Sequence, residues 1–519
     1  MGAFRSLDAS LLKLSQSDSF TLRDAVQGVL ILGGIGSGKT SGSGKALAAA
    51  YLRAGMGGLV LCAKPEEADL WRRACVAAGR ASSLIEWDGA NHRFNFLAYE
   101  LAKQGADGLN SVVECLMRVL EIARAASPAP GRTSEAFWED TTRQILRNAI
   151  PVLFAATCTI RIADLLRFVR SAPSSPAMMD TAWQRDSFFY ASYLKAAGRL
   201  DDVIGERTVS YWRNDFATLD AKTRGNILIS LTTALDRFNH GWLHQAFCTD
   251  TTIVPELCFH GAVIVLNMPA LTRNEDGIIA QQLFKYLWQR AVLSRNGLEP
   301  AQQERPVFLW ADEAQYFLNS QDAEFLSTCR GSRACTVFLS QSLPTFYAKI
   351  GGENAHDRVH HLLGNFATRI WHNNACAETN EWAARTLGRT MQRRATYNES
   401  EGSSSSYGMN MGTGDNWGRN RSNNVTWTGP GLRFRDSGSW GESQGGGDNW
   451  GRNRGGGTNS GISQGYSEQM DHLMEPGQFS RMLKTGGPVH GNRVSAVWYQ
   501  AGRQFRASGG NALLAEFRQ

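Results

Sequence analysis

The segment Gly33-Gly-Ile-Gly-Ser-Gly-Lys-Thr40 constrains the fold of this chain more than any other feature. It fits the pattern G-x-x-x-x-G-K-[ST], in which a glycine-rich loop between a strand and a helix wraps phosphate groups with its backbone N–H groups. The apolar run 28–32 precedes the loop and an alanine-rich helical stretch follows it, so the context agrees with the motif. The predicted nucleotide-binding residues are Gly33, Gly34, Gly36, Ser37, Gly38, Lys39 and Thr40.

A second acidic site is expected at the end of another apolar strand, Val307-Phe-Leu-Trp-Ala-Asp312-Glu313. Lys39 would bind the β and γ phosphates of ATP, and the Thr40 hydroxyl and Asp312 would hold Mg²⁺. Glu313 would polarise the attacking water, the general-base role of a hydrolysing ATPase. Two adjacent acids at a solvated strand end are the alternative interpretation of this motif.

Two further polar positions are candidates for contact with the terminal phosphate. Gln341 ends the apolar strand 336–340 and could sense the γ phosphate, although an ordinary polar strand end is the alternative. Arg330 and Arg333 lie just before that strand. In ring-forming ATPases an arginine of one subunit completes the neighbouring site, and Arg330 is the favoured candidate here, with a surface arginine as the alternative.

Strand-like and helical runs alternate in two separated blocks, which predicts an α/β fold with a parallel-rich central sheet interrupted by an all-α domain. Strands are expected at 28–32, 59–63, 262–266, 307–310, 336–340, 368–371 and 494–499. The predicted division is an N-terminal segment 1–20, a nucleotide-binding domain 21–105 and 246–396, an all-α insertion 106–245, a Gly/Ser/Asn/Arg-rich flexible segment 397–466, and a C-terminal segment 467–519 that returns to the nucleotide-binding domain.

The segment 397–466 repeats the octapeptide Gly-Asp-Asn-Trp-Gly-Arg-Asn-Arg at 414–421 and 447–454. Its composition offers too little apolar surface for an independent core. Tryptophans that stack on unpaired bases and arginines that meet phosphates suit single-stranded nucleic acid, and a linker without a ligand is the alternative. The candidate DNA contacts are Trp417, Arg419, Arg421, Trp450, Arg452 and Arg454, with Trp427 and Trp440 as further stacking positions.

Composition indicates the cellular compartment of the protein but does not identify its substrate. The net charge of +6 on 519 residues permits a polyanionic partner without requiring one. Nine cysteines, an odd number never spaced C-x-x-C, favour a reducing cytoplasm over a disulfide framework. Runs of about 18 apolar residues, which a membrane span needs, do not occur in the sequence.

Taken together these motifs resemble the TraD/TraG-type coupling ATPases of conjugative type IV secretion systems, within the FtsK/HerA group. The resemblance covers about 21–505 and includes Ser340-Gln-Ser342, Phe366-Ala-Thr-Arg-Ile-Trp-His372 and Ser467-Glu-Gln-Met-Asp-His-Leu-Met-Glu-Pro-Gly-Gln-Phe479. It implies a RecA-like domain in a homohexameric ring that hydrolyses ATP with Mg²⁺ and delivers DNA, with a bound relaxase, to a secretion channel.

Two departures from the family pattern are visible. Family members usually begin with transmembrane helices, whereas here the nucleotide-binding motif comes early, so a cytoplasmic chain docked at the inner membrane through a partner is expected. After the second strand the chain reads Cys62-Ala-Lys-Pro-Glu-Glu67 instead of an acidic residue followed by Lys-Gly-Glu. The alternatives to DNA transport are an ATPase that energises export of protein effectors and a nucleotide-gated adaptor with little hydrolysis.

Overall fold

The computed structural model describes residues 6–104, 108–126, 135–175, 178, 181–298, 303–352, 354–406, 412–422, 425–428, 432–435, 439–449 and 455–519. The strands in these ranges are β1 Ser10–Lys13, β2 Ser19–Thr21, β3 Val29–Leu32, β4 Gly57–Leu61, β5 Leu84–Trp87, β6 Val263–Leu266, β7 Val307–Ala311, β8 Ala334–Ser340, β9 Thr368–Trp371, β10 Arg389–Ser406, β11 Gly412–Ser422, β12 Val425–Thr428, β13 Leu432–Arg435, β14 Ser439–Asn449, β15 Gly455–His472, β16 Arg493–Gln500 and β17 Ala512–Arg518.

Helices precede, connect and flank these strands. They are α1 Leu22–Ala25, α2 Lys45–Arg53, α3 Glu66–Ala77, α4 Phe96–Gln104, α5 Gly108–Ala126, α6 Glu135–Thr157, α7 Ile162–Arg170, α8 Thr181–Asp186, α9 Phe188–Ala196, α10 Asp202–Ser210, α11 Ala221–Asp236, α12 Gly241–Phe247, α13 Ala270–Ser294, α14 Gln321–Thr328, α15 Leu343–Ile350, α16 Ala355–Gly364, α17 Ala377–Leu387 and α18 Pro476–Arg481.

Nine strands form the central sheet in the order β17-β16-β9-β3-β8-β7-β4-β6-β5. The strands from β9 to β5 are parallel, and β16 and β17 add to the β9 edge in antiparallel fashion. Strand β3 lies between β8 and β9, and only β8 separates it from β7. The expected α/β fold with a mostly parallel sheet is confirmed, and the loops after β3, β7 and β8 meet at one edge of the sheet, where such folds bind ligands.

Apolar residues cover both faces of this sheet. On one face Leu47 and Tyr51 of α2 and Trp71 of α3 pack against strand residues such as Phe308. The larger cluster on the other face continues into the helical insertion. Because all four residues of β3 are buried, the strand that leads into the glycine-rich loop is held from both sides.

The described residues between α4 and α12 form helices and turns without a strand. An antiparallel bridge between Phe94 and Thr251 closes the two ends of this helical region. Phe94 also packs edge-to-face on Phe284 of α13, with ring centroids 5.0 Å apart. The insertion therefore shares its core with the α13 side of the sheet.

The low-complexity segment follows α17. Strand β10 pairs antiparallel with β15 from Arg389 opposite His472 to Ser406 opposite Gly455, and β11 pairs with β14. Where composition predicts a flexible segment, the described residues thus run as paired strands. Backbone hydrogen bonds make such pairing without the apolar side chains that an independent core would need.

Within the described ranges, no single helix has the length and apolar composition needed to cross a membrane.

Candidate nucleotide-binding site

The glycine-rich loop is fastened to the neighbouring strands by its first residues. Gly33 N donates to Ser340 O at the end of β8 (3.2 Å), and Gly34 N donates to Asn373 O after β9 (2.9 Å). Gly36 and Gly38 have φ values of 71° and 82°, which side-chain-bearing residues rarely adopt. The sequence therefore places glycine where this loop needs left-handed backbone.

The helix after the loop begins with a π-helical turn, Thr40–Gly44, before α2 starts at Lys45. Gly44 N donates to Lys39 O (2.9 Å) across this wider turn. A Cβ atom on Gly44 would lie 2.9 Å from the same oxygen, so glycine allows the close backbone approach. Sequence reasoning predicted a continuous helix here, because periodicity does not reveal a π turn; such turns often mark functional sites.

The two predicted magnesium ligands meet at the sheet edge. Thr40 Oγ1 donates a hydrogen bond of 2.6 Å to Asp312 Oδ2, directly after β7. A hydroxyl and a carboxylate are hard oxygen donors, the chemistry that Mg²⁺ prefers next to phosphate. These side chains fit the predicted ion, which would be held between the glycine-rich loop and β7.

Glu313, the predicted general base, is 3% exposed and has left-handed backbone with φ 49° and ψ 48°. Its Oε1 accepts from Lys64 Nζ (3.1 Å) and Gln341 Nε2 (3.1 Å), and its Oε2 accepts from Gln315 Nε2 (3.0 Å). Lys39 Nζ lies 4.0 Å from Oε1. Non-glycine residues in this backbone region concentrate at functional sites.

Burial acts to raise the pKa of Glu313, but four favourable contacts outweigh it. The hydrogen bond from Gln315, the charge of Lys39 and the hydrogen bonds from Gln341 and Lys64 place this pKa below its usual value. The side chain is therefore a carboxylate at neutral pH. Gln341 contacts the predicted base itself, and its backbone oxygen accepts from Asn374 Nδ2 (2.8 Å).

Sequence reasoning missed Lys64, in the turn after β4, and Glu67, in the first turn of α3, within the segment that departs from the family pattern. Glu67 is buried, and its Oε2 accepts from Ala63 N (2.9 Å). Burial, followed by the charge of Asp312, raises the pKa of Glu67 well above its usual value. A signal was available, because Lys64 and Glu67 follow β4 at the same sheet edge as Asp312.

His372 packs against the glycine-rich loop and was also missed as a site residue. Its imidazole is fully buried, and Nε2 shares a hydrogen bond of 2.7 Å with Ser43 Oγ in the π turn. Burial, then the charge of Lys39, lowers the pKa of His372 to about 3. A Cβ atom on Gly33 would lie 2.7 Å from His372 Cβ, so the loop and this ring are in close contact.

A cavity of about 780 Å³ opens from the glycine-rich loop and runs between α2 and α3. It is large enough for a nucleotide. Its lining includes Leu61, Trp71 and Trp310 as well as the residues Gly36, Ser37, Gly38, Lys39, Thr40, Glu67 and Asp312. Ser37 Oγ is buried there without a hydrogen-bond partner among the described residues.

The remaining predicted site residues lie elsewhere. Arg330 is exposed in the turn between α14 and β8, at the edge of the sheet where β8 begins and opposite the glycine-rich loop. Arg333 in the same turn donates to Glu304 O (2.9 Å). Trp417, Arg419 and Arg421 belong to β11, of which the backbone is described, and Trp450, Arg452 and Arg454 lie outside the described residues.

The central sheet and the glycine-rich loop together define a RecA-like P-loop fold. No protein-family model and no curated protein matches the sequence. Among solved structures the chain is similar to the bacterial conjugative coupling protein TrwB lacking its first 70 residues, unbound, with a TM-score of 0.52 and 13% identity over 96% of this chain and 86% of that one.

Two nucleotide complexes of TrwB are also similar. The complex with the GTP analogue GDPNP gives a TM-score of 0.50 and 12% identity over 96% of this chain and 87% of that one. The complex with the ATP analogue ADPNP gives a TM-score of 0.50 and 14% identity over 99% of this chain and 91% of that one. At this identity the likeness establishes a shared fold: the chain has the fold of a conjugative coupling protein over nearly its whole length.

Proposed function

We propose that this chain is an ATP-hydrolysing coupling protein that moves DNA, with a bound relaxase, to a type IV secretion channel. The observation that carries the proposal is the Thr40–Asp312 hydrogen bond, which joins the phosphate loop to the acidic strand end. The TrwB fold supports the transport role, and TrwB itself has been solved with ADP and Mg²⁺.

In this mechanism Lys39 and the loop N–H groups bind the phosphates of ATP, and Thr40 and Asp312 hold Mg²⁺. The bound ion offsets negative charge on the phosphate oxygens. Glu313 accepts a proton from the water that attacks the terminal phosphorus, so that ATP and water give ADP and phosphate. The lowered pKa of Glu313 keeps the side chain able to accept that proton.

Assembly and substrate contacts belong to the same proposal. The chains form a homohexameric ring in which Arg330 reaches the site of a neighbouring subunit. Segment 397–466 contacts single-stranded DNA through Trp417, Arg419, Arg421, Trp450, Arg452 and Arg454. The ring works in the cytoplasm, docked at the inner membrane through a partner.

The test is ATP turnover by a preparation shown by electron microscopy to form rings, with and without single- or double-stranded DNA. Turnover that rises with DNA and is lost in Glu313→Gln supports the proposal. A rate that neither form of DNA changes argues against DNA transport. Capture of a protein effector in place of a relaxase, in a pull-down with the intact chain, would favour the protein-export alternative.

A further inference from the structure

Two lysine ammonium groups lie near one oxygen of a buried carboxylate beside the glycine-rich loop. Lys64 Nζ lies 3.1 Å and Lys39 Nζ 4.0 Å from Glu313 Oε1. Glu313 is almost fully buried, whereas 46% of the Lys64 side chain is exposed. The carboxylate therefore acts as the anion that balances both cations.

The backbone that carries Lys64 is firmly held, although its side chain is partly exposed. Buried Gln281 of α13 accepts from Cys62 N (2.7 Å) and donates to Cys62 O (2.9 Å). Ala63 N donates to Glu67, and Ala63 O accepts from Leu271 N (3.1 Å). The turn thus fixes where the Lys64 side chain starts and leaves its ammonium group free to change partner.

A triphosphate would compete with Glu313 for these cations. Lys39 belongs to the glycine-rich loop and would bind the β phosphate that ADP and ATP share as well as the γ phosphate. Lys64 approaches Glu313 from the turn after β4. Phosphate oxygens are strong acceptors for an ammonium group. Gln315 and Gln341 would still donate hydrogen bonds to the Glu313 carboxylate after Lys64 leaves. The exchange therefore does not leave the buried carboxylate without a hydrogen-bond donor.

We propose that Lys64 is the residue by which this site distinguishes a nucleoside triphosphate from a diphosphate. In this proposal Lys64 neutralises Glu313 until ATP is bound, and it then binds the terminal phosphate and releases the carboxylate to the attacking water. ADP lacks that phosphate and leaves Lys64 on Glu313. The inference rests on the proposed nucleotide site and adds a specificity residue to it.

Isothermal titration calorimetry with Mg²⁺ tests this, using ADP and a non-hydrolysable ATP analogue on the full-length chain. Lys64→Gln is expected to weaken analogue binding about tenfold, the size of one charge-assisted contact, while ADP binding changes less than about twofold. Lys64→Arg keeps a cation and is expected to restore most of the preference. Lys222→Gln, at an exposed lysine in the first turn of α11, is the control for a lost surface charge.

A second variant examines the competition directly. Glu313→Gln removes the internal anion, so it is expected to tighten binding of the analogue more than binding of ADP. The inference is overturned if Lys64→Gln weakens both nucleotides equally or neither of them. If the wild-type chain binds neither nucleotide, the proposed function itself fails, and this outcome is distinct because it appears before any variant is compared.

Discussion

Thr40 Oγ1 and Asp312 Oδ2 are joined by a hydrogen bond of 2.6 Å, although 272 residues separate them in the chain. The sheet order explains the contact, because only β8 lies between β3 and β7 and both strands end at the same edge. The topology of the parallel sheet thereby brings the glycine-rich loop and the acidic end of β7 together.

Replacing Thr40 by valine is expected to remove the magnesium ligand while it keeps the side-chain volume. The loss of one metal-ligating hydroxyl should lower ATP turnover about 100-fold or more. Thr40→Ser retains the hydroxyl and should stay within about tenfold of the wild type. Steady-state hydrolysis over a range of Mg²⁺ concentrations checks this, and equal rates for the valine and serine variants would contradict it.

Two neighbouring glycines of the loop offer a matched comparison. A Cβ atom on Gly33 would lie 2.7 Å from His372 Cβ and closer still to Ser37 Oγ, whereas one on Gly34 would meet nothing nearer than 3.5 Å. Gly33→Ala is therefore expected to displace the loop and weaken nucleotide binding at least about tenfold, and Gly34→Ala to bind nearly as the wild type does. Fluorescent nucleotide titration distinguishes them, and equal affinities would contradict the close packing.

His372 should make stability depend on pH. Its pKa falls from 6.5 to about 3 on folding, so the unfolded chain binds the proton more readily. The stability that the neutral ring contributes is present above pH 6.5 and is lost as pH falls towards 3, by at most about 1.4 kcal/mol per pH unit. Denaturant unfolding of wild type and His372→Gln between about pH 7 and pH 5 should show a flatter profile for the variant.

The control for this measurement is His490→Gln, at an exposed histidine in the turn before β16. Its profile should follow the wild type. Equal pH slopes for the wild type and His372→Gln would show that the ring under the loop does not resist protonation.

The buried pair Lys285–Asp322 is expected to stabilise the segment after Glu313. Lys285 Nζ lies 2.7 Å from Asp322 Oδ2 and also donates to Phe317 O (2.6 Å). Lys285→Met leaves the carboxylate without its cation and should cost about 3–5 kcal/mol of unfolding free energy. Adding Asp322→Asn removes that charge and should restore part of the loss, as urea titration can show; a double variant less stable than Lys285→Met would contradict the pairing.

Much of the site could be predicted because its motifs are local. The glycine-rich loop, Asp312, Glu313 and Gln341 each follow a short apolar strand, and a parallel sheet gathers such strand ends at one edge. Their roles stay predictions until turnover is measured. The contacts of Lys64 and His372 were missed because their partners Glu313 and Ser43 are remote in the chain. For Lys64 the only signal was its place after β4, at the same sheet edge as Asp312.

Strand boundaries were also predicted imperfectly, because they too depend on contacts between residues that are remote in the chain. Sequence reasoning began the second strand at Leu59, whereas β4 begins at Gly57. Glycine is usually a poor strand residue, but a Cβ atom on Gly57 would lie 2.7 Å from Cys258 C, and one on Gly58 would overlap the Phe308 ring. Strand β17 was also missed, and its residues alternate between buried and exposed positions from Leu513 onward at the sheet edge.

Val494 of β16 packs against the phosphate loop: a Cβ atom on Gly38 would lie 2.6 Å from its Cγ2, and one on Gly42 3.1 Å from its Cγ1. The loop is thus packed on one side by a strand that is synthesised long after the loop itself. During translation the loop is synthesised early, and the residues that pack against it are complete only after β16 has been added. A nascent chain should therefore acquire the full packing around this loop only after β16 has been synthesised.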